Sequence, residues 1–305
     1  MDLFQLETFM TVAREGSFSR AAKKLFRTQP AVSQTIRKLE LELGEALFDR
    51  SSRDGVLTAA GHVLQGYALR LLNTRDEALV ALDEVRQLLK GKLAISANEF
   101  TCLYLLPVLD EFRRLHPQIK VAVQRSLASQ ISDELLNHST ELGVLTFHPE
   151  DSLLRSIVVY RDQLTLVAPP KHPLTKSKEV TVRQLGKESF VAHNLPSPYR
   201  QKVLEAFTRH KVPLQMPVEL PTIEAIKKFV AMANGVALIP GICAETEVAR
   251  GELVRLPVRD LHFERKLRII YRKNSSLSHA ARAFLKVAEE FAAKKGEPYL
   301  FQADR

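Results

Sequence analysis

The feature that most constrains this chain is a proline-free run of apolar heptads from Thr58 to Leu89. A helix over this run would hold about 32 residues and extend roughly 48 Å, which is too long and too one-sided to be buried in a small domain. The heptad positions and their apolar neighbours are Leu64, Leu71, Ala78 and Val85, with Ala68, Leu72, Leu82 and Leu89. The run therefore predicts a linker helix at 59–90 between domains at 1–58 and 91–305. It favours dimerisation, and a long helix packed on the next domain is the alternative.

The first 58 residues predict three helices. Apolar residues at helical spacing indicate a first helix from Leu3 that ends near Gly16, and Ser19 is a suitable N-cap for a short second helix. Thr28 can cap a third helix, in which Pro30 is tolerated because it falls in the first turn. On that helix the predicted buried stripe is Val32, Ile36, Leu39 and Leu43.

A wing is predicted directly after these helices. The segment LFDRSSRDGVLT follows Gly44 and predicts two short strands around a turn at Arg53, Asp54 and Gly55. Three helices and a wing form a winged helix-turn-helix, which is a DNA-binding architecture.

The distribution of charge supports a polyanionic partner more strongly than the formal net charge of +9 does. Residues 14–38 carry seven basic side chains and one acid, Glu15. In residues 39–58 the balance is reversed, with five acidic and two basic side chains. At the start of the third helix, Gln29, Ser33, Gln34 and Arg37 can read base edges in a major groove. Phosphate contacts are expected from neighbouring basic residues: Arg20, Lys23, Lys24, Arg27, Lys38, Arg50 and Arg53.

Beyond Gly91 the pattern changes to alternating short strands and helices, which favours an α/β fold with a parallel sheet covered on both faces. The segment LTLVAP predicts a strand that leads into a second lobe at about 163–266. The first lobe would comprise about 91–162 and 267–296, with LRIIYRK as a returning strand before a terminal helix. Two lobes with crossing connections imply a cleft, where small ligands usually bind.

Residues 3–61 resemble the N-terminal signature of LysR-type transcriptional regulators, through GSFSRAA, LFRTQPAVSQ, IRKLE, LG, LFDR and LTAAG in order. PVLDEFRRLHPQIKV, ELGVL, HPL and TIEAIKKFVAMANGVALIP also look like segments of that family. The resemblance implies an α/β chain with a winged helix-turn-helix, a long linker helix and a two-lobed α/β effector domain similar to periplasmic solute-binding proteins. Thr28 and Pro30 join the DNA-contacting set on this basis.

The family resemblance also implies a small-molecule effector between the lobes. The corresponding positions in this chain are Asn98, Glu99, Phe100, Thr101, Ser126, Ser129, His193, Asn194, Ser197 and Arg200. Helix N-termini in these loops would favour an anionic group, whereas acidic Glu99 would oppose a carboxylate. Homodimers that assemble into homotetramers on double-stranded DNA, and contact with RNA polymerase, are further implications.

Other classes of protein find less support in the sequence. G-x-G-x-x-G, G-x-x-x-x-G-K-[ST], G-x-S-x-G and H-E-x-x-H are all absent, so no enzyme is predicted, and the scattered histidines predict no metal site and no cofactor. A plain solute-binding protein would suit the C-terminal part, but the first residues carry no export signal, which favours the cytoplasm. No apolar run reaches membrane-spanning length. Cys102 and Cys243 are expected to be buried thiols, with a redox-sensing pair as the less favoured alternative.

Overall fold

The computed structural model describes residues 1–49, 55–86, 91–194, 197–273 and 277–304. The N-terminal part contains four helices: α1 (Leu3–Glu15), α2 (Phe18–Lys24), α3 (Gln29–Leu43) and α4 (Ala59–Arg86). The helices of the C-terminal part are α5 (Glu99–Leu115), α6 (Ala128–Leu136), α7 (Val182–Leu185), α8 (Pro198–Arg209), α9 (Ile223–Ala231), α10 (Glu245–Ala249) and α11 (His279–Lys295), with 3-10 turns at Pro173–Lys176 and Gly241–Ala244. Its strands are β1 (Lys92–Ala97), β2 (Lys120–Arg125), β3 (Leu142–Leu145), β4 (Leu154–Ala168), β5 (Ser189–His193), β6 (Gln215–Leu220), β7 (Ala237–Pro240), β8 (Val254–Leu256), β9 (Glu264–Arg272) and β10 (Tyr299–Ala303).

The start of α2 differs from the prediction by two residues. α1 ends at Gly16, whose left-handed backbone (φ 58°) turns the chain, and Ser17 then becomes the N-cap of α2. The Ser17 hydroxyl accepts from the Arg20 N–H at 3.4 Å. The predicted cap, Ser19, therefore lies inside the first turn, because the turn at Gly16 is tighter than the sequence pattern suggested.

The third helix also departs from its predicted stripe. Val32, Ile36 and Leu39 are buried as expected, but Leu43 is 39% exposed and Glu40 is buried in its place. α3 ends at left-handed Gly44, and the chain returns across Glu40, whose carboxylate accepts from Leu47 N at 2.8 Å. The stripe was wrong at its last position because a polar side chain was needed there to satisfy buried backbone N–H groups. Thr28 stands at the N-cap position, but its side chain makes no capping hydrogen bond.

The base of the predicted wing is present, and its turn at 50–54 lies outside the described residues. Phe48 and Leu57 form an isolated antiparallel bridge, and Asp49 N–H donates to Val56 O at 2.8 Å. Gly55 N–H donates to Gly16 O at 3.1 Å, so this base packs against the turn between α1 and α2.

α4 confirms the long helix from its start to Arg86, with Thr58 as its cap and residues 87–90 outside the description. The predicted apolar heptad residues of α4 and their neighbours do not form one face of the helix but lie on two sides of it. Leu64, Ala68 and Leu72 pack into the core of the N-terminal domain. Among the side chains of α4 that the structure describes, the large apolar ones that remain exposed are Val63, Tyr67, Leu71, Leu79 and Leu82.

The far half of α4 also contacts the C-terminal domain, which was the alternative role for this helix. The Glu77 carboxylate lies 2.8 Å from Arg272 Nη2 and 2.6 Å from His138 Nδ1. Asn73 Nδ2 donates to the carbonyl of Asn137 at 2.7 Å. The helix therefore has polar contacts on one side and exposed apolar residues on another.

The sheet of the first lobe is mixed rather than parallel. β1 pairs in parallel with β2 and β3, but β3 pairs with β9, β9 with β4 and β4 with β10 in antiparallel fashion. The parallel prediction was wrong for this half because the chain crosses to the second lobe along β4 and returns along β9 in the opposite direction. The lobe also extends beyond the predicted boundary at 296, since β10 follows α11 and closes the sheet edge.

β4 belongs to both lobes. Its first half pairs with β9 and β10, and its second half, from Leu164 to Ala168, pairs with β7 and β8 of the second lobe. In the second lobe β5 and β6 form a parallel pair, and β5 connects to this sheet through a bridge between Phe190 and Val236. One continuous strand therefore fixes the distance between the two lobes. Of the helices in the described ranges, none combines the length and apolarity that a membrane crossing requires.

Gly61 and Gly66 provide a matched test of the packing between α4 and the wing base. A Cβ on Gly61 would lie 2.2 Å from the Leu47 carbonyl oxygen, whereas a Cβ on Gly66 would have no heavy atom within 4 Å. We expect Gly61→Ala to destabilise the protein by about 1–3 kcal/mol and Gly66→Ala to stabilise it by about 0.5–1 kcal/mol through helix propensity. Calorimetric melting of the full chain measures both, and a Gly61→Ala protein that melts no lower than wild type would contradict the close contact.

Candidate DNA-binding surface and interlobe cavity

The polar side of α3 faces outward over a buried apolar side. Gln29, Pro30, Gln34, Arg37 and Lys38 are exposed and Ser33 is half-buried. Gln29 Nε2 donates to Ser33 Oγ at 2.9 Å, so the first turn holds these two polar groups side by side. The structure therefore places the predicted base-reading residues on one accessible edge at the N-terminal end of the helix.

The predicted phosphate-contacting residues lie around that edge, but some of them are already engaged in contacts within the protein. Arg20 Nε donates to the Glu15 carbonyl at 3.0 Å, and Lys24 lies 2.6 Å from the Glu15 carboxylate, whose pKa is lowered mainly by that hydrogen bond. The Arg27 guanidinium lies 5.7 Å from the centre of the Phe4 ring. Lys23, Lys38 and Thr28 are exposed, while Arg50 and Arg53 lie outside the described residues.

A cavity of about 580 Å³ opens between the lobes, within the size range of ligand pockets. It is bounded by the loops after β1, β2, β3 and β5, by the start of α8 and by strands of the second lobe. Its polar and charged lining residues are Asn98, Glu99, Arg125, Ser126, Ser129, Thr146, His193, Ser197, Tyr199, Arg200 and Arg265. Its apolar lining residues are Phe100, Leu127, Ala128, Phe147, Leu164, Phe190, Val191, Ala192, Val203, Leu214, Met216, Ile223, Leu238 and Pro240.

Most of the predicted effector residues line this cavity, and two do not. Thr101 is fully buried behind it, where its hydroxyl donates to the Val144 carbonyl at 3.3 Å. Asn194 is exposed, and its backbone N–H donates to the Leu220 carbonyl. Ser126 reaches the cavity, but its hydroxyl donates to Glu134 at 2.8 Å. Arg200 donates to the His193 carbonyl at 3.0 Å and also pairs with Glu219.

Glu99 connects the two lobes across the cavity. It stands in the first turn of α5, and its Oε1 accepts from the backbone N–H of Ile223, at the start of α9 in the second lobe, at 3.2 Å. Next to it, the rings of Phe100 and His193 meet edge to face with centres 5.6 Å apart. Burial lowers the pKa of His193, which favours its neutral form. The acidic residue therefore serves as an interlobe contact, a role that the sequence pattern did not reveal.

A buried ion pair at the hinge of the lobes was also missed by sequence reasoning. Asp162 of β4 and Arg265 of β9 are register partners, with Oδ2 and Nη1 2.8 Å apart and both side chains 4% exposed. The Tyr199 ring covers the guanidinium at 5.0 Å, and its hydroxyl donates to the Thr146 carbonyl at 3.2 Å. Burial raises the pKa of Asp162, against the opposing effect of Arg265. The available signal was the alternation along LHFERKLRII, which places Arg265 among inward-facing positions.

Neither cysteine has the environment of a redox sensor. Burial raises the pKa of the Cys243 thiol to about 12, and it also raises the pKa of the half-buried Cys102. A reactive thiol needs the opposite shift. In the described parts of the chain, no cluster of three or more His, Cys, Asp and Glu side chains could hold a metal ion.

Two family models match the chain. Residues 3–62 match the model described as bacterial regulatory helix-turn-helix protein, lysR family, and residues 86–293 match the LysR substrate binding domain. The chain belongs to the LysR family, and it is a transcriptional regulator rather than an enzyme. The predicted winged helix-turn-helix and α/β effector domain are confirmed.

Individual relatives agree with this assignment. A probable RuBisCO transcriptional regulator of Cyanophora paradoxa is 32% identical, over 92% of this chain and 89% of that protein. Full-length CbnR in complex with its target DNA superposes with a TM-score of 0.72, at 18% identity, over 95% of this chain and 99% of that chain. The regulatory domain of Synechocystis PCC6803 CcmR in complex with 2-PG has a TM-score of 0.61 at 25% identity, covering 68% of this chain and all of that chain (100%).

The buried thiols give a direct chemical prediction. With a pKa near 12, Cys243 should hold about a thousandfold less thiolate than an ordinary cysteine, and should react with a disulfide reagent at pH 8 correspondingly more slowly. We expect slow labelling of the native protein and rapid labelling of two thiols in denaturant, followed by absorbance. Rapid labelling of both thiols in the native state, or a Cys102–Cys243 disulfide after mild peroxide treatment, would restore the redox hypothesis.

Proposed function

We propose that this protein binds promoter DNA through α3 and its basic surroundings, as a dimer or tetramer, and that a small molecule in the interlobe cavity modulates this binding. The observation that carries the proposal is the exposed polar edge of α3 above buried Val32, Ile36 and Leu39. Side chains at the N-terminal end of such a helix can reach base edges when the helix lies in a major groove. CbnR, with the same fold, has been solved with its target DNA.

Within this surface we assign base reading to Gln29, Ser33, Gln34 and Arg37, and phosphate contacts to Lys23, Arg27, Lys38 and the wing residues Arg50 and Arg53. We also assign Thr28 and Pro30, at the start of α3, to the surface that contacts DNA. Arg20 and Lys24 support the surface indirectly, because both are tied to Glu15 at the end of α1.

Replacing Arg37 should separate specificity from general affinity. A bidentate contact to a base contributes about 1–3 kcal/mol, so Arg37→Ala should weaken binding to the duplex upstream of the protein's own gene by about 10- to 100-fold. Binding to a scrambled duplex should change much less. Gel shifts at stated salt concentrations measure both affinities.

Two controls make this result interpretable. Lys23→Ala should weaken binding to both duplexes about equally and should reduce the salt dependence by about one phosphate contact. Lys286→Ala removes an equal charge from a 76% exposed side chain on α11 and should change neither affinity. If Arg37→Ala keeps full discrimination between the duplexes, the recognition role of α3 is wrong.

For the dimer, we propose that the exposed apolar side of α4 packs against the same helix of a second copy. Val63, Tyr67 and Leu71 follow one another at spacings of four residues and are 64%, 57% and 44% exposed. Such a row of large apolar side chains on one helix face is typical of an interface. Assembly of dimers into tetramers through the effector domains remains part of the proposal, on the basis of family resemblance.

Charged substitutions on this side of α4 should dissociate the dimer. We expect the double variant Val63→Lys with Tyr67→Lys to lower the mass in sedimentation equilibrium towards that of a 34.4 kDa monomer, because each copy would bring two ammonium groups into an apolar interface. His62→Lys adds a charge to an exposed neighbouring position and should leave the mass unchanged. An unchanged mass for the double variant would exclude this side of α4 as the interface.

For the effector, α6 provides a physical connection between cavity and linker helix. Its first residues, Ala128 and Ser129, line the cavity, whereas the carbonyl of Asn137 just beyond its end accepts from Asn73 of α4. A ligand that prefers one arrangement of α6 would therefore bias the position of α4 and of the DNA-binding domains. The 2-PG complex of the CcmR regulatory domain supports a small-molecule effector for this fold. We place the protein in the cytoplasm with its DNA, where contact with RNA polymerase would follow.

A further inference from the structure

The inference concerns the chemical class of the effector and rests on the proposed function of the interlobe cavity. The cavity extends from the cleft into the apolar core of the second lobe. Phe190 and Val203, only 3% and 7% exposed, belong to that core and also line the cavity. Leu164, Leu214, Met216 and Leu238 pack on the same core and continue the lining. A ligand that fills this part must carry a hydrocarbon group, because polar groups would lose their hydration there without a partner.

The charges around the cavity are almost balanced within the described residues. Three arginines line it, namely Arg125, Arg200 and Arg265, and one acid, Glu99, faces them. Arg200 pairs with Glu219 and Arg265 with Asp162, neither of which lines the cavity. Two of the three arginines are therefore already paired with carboxylates, and Arg125 is the one left to face an anionic ligand among the described residues. A phosphorylated acid, whose phosphate alone carries about −1.5 to −2 charges, would need more free positive charge than this lining supplies.

Three helix N-termini at the cavity are already occupied by side chains of the protein, which leaves few N–H groups for an anionic ligand. Asn98 accepts from two N–H groups of α5, and the Ser197 hydroxyl accepts from the backbone N–H of Arg200 in α8. Glu99 and Thr222 accept from N–H groups at the start of α9. α6 is the exception, since its N-cap residue Leu127 provides no side-chain cap. Arg125, immediately before this loop, is exposed and has no acidic partner in the described part of the chain. One small anionic group can therefore be held there, between the N-terminus of α6 and Arg125.

A second cation, Arg265, lies at the wall of the cavity and is already paired with Asp162. Arg265 is 4% exposed and lines the cavity, and its Nε–H has no hydrogen-bond acceptor among the described residues. The Nε atom itself is not reached from the cavity, so Arg265 bounds the ligand space without requiring a polar group of the ligand beside it. Tyr199 holds the plane of this guanidinium in position.

We propose that the effector is a monocarboxylic acid with a hydrocarbon body. Its carboxylate lies between Arg125 and the N-terminus of α6, and its body enters the core of the second lobe past Arg265 and Met216. The cavity volume corresponds to about 20 non-hydrogen atoms at the share of one water molecule each, which gives the approximate size of the ligand.

A homologous series of straight-chain acids tests this class directly. Calorimetric titration of the full-length protein with butanoate, hexanoate and octanoate should show the dissociation constant falling about fourfold per added methylene, since each is transferred from water into the apolar cavity. Octanamide, which matches octanoate in shape but lacks its charge, should bind about tenfold more weakly or worse. Inorganic phosphate and phosphoglycolate should bind more weakly than octanoate. An affinity independent of chain length, or tighter binding of phosphoglycolate, would overturn the proposal.

Two variants test where the hydrocarbon end and the carboxylate end of the ligand bind. Met216→Gln keeps the side-chain length but places an amide in the apolar part, and should flatten the dependence on chain length while leaving butanoate binding nearly unchanged. Arg125→Gln should weaken all three acids by about the same factor, about tenfold. Met232→Gln, at a position 72% exposed, is the matched control and should change nothing.

The same preparations distinguish this inference from the proposed function. Operator binding in gel shifts should be intact in the Met216→Gln and Arg125→Gln proteins, and octanoate should change the gel-shift affinity of the wild type but not that of Met216→Gln. If operator binding is normal while the acid series is flat, only the effector class is wrong. If wild-type protein binds no duplex specifically, the regulator assignment itself fails.

Discussion

The architecture depends on the single strand β4, which is shared by two hydrophobic cores. Its backbone pairs with β9 and β10 in one lobe and with β7 and β8 in the other, so the lobes cannot separate without breaking a continuous set of hydrogen bonds. Where the strand passes between the cores, a charged side chain is buried on each of two neighbouring strands, Asp162 and Arg265. Removing either charge would leave the other without its partner in a region of low dielectric constant. The cavity lies beside this constrained crossing, so its floor is rigid while its rim is built from loops.

The loops at the rim connect the cavity to the rest of the molecule. Glu99 contacts the opposite lobe through Ile223 N–H, and α6 extends from the cavity to the contact with α4. At that contact the Glu77 carboxylate meets both His138 and Arg272, and Arg272 is itself held by the carbonyls of Leu135 and Thr140. In the proposed mechanism, a displacement at the first turn of α6 would be transferred along this short helix to the linker helix. The N-terminal domain would then follow, since Leu64, Ala68 and Leu72 anchor α4 in its core.

Sequence reasoning succeeded where local chemistry decides the outcome. Helix spacing identified α1, α3 and α4, and a proline in the first turn of α3 was correctly accepted. The polar side of α3 and most of the polar lining residues of the cavity were named from a motif and a family resemblance. It was wrong where a distant part of the chain sets the environment. Leu43 is exposed because the returning chain packs over Glu40, whose carboxylate accepts from the Leu47 N–H. The sheet is mixed because β9 returns beside β4 in the opposite direction. β10 was missed because its short sequence becomes a strand only through the free edge of β4.

The sequence by itself determined the order of the parts: a basic helix-turn-helix, a long helix without proline, and an α/β domain in two lobes. These follow from spacing, propensity and charge, which act over a few residues. Only the tertiary structure decided what each position tolerates. Gly61 and Gly66 have the same helix propensity, yet only Gly61 approaches a backbone carbonyl of the preceding segment, at Leu47. The roles of Glu99 and Arg265 likewise depend on distant residues. Their partners Ile223 and Asp162 are 124 and 103 positions away in sequence, and the fold brings them within hydrogen-bonding distance.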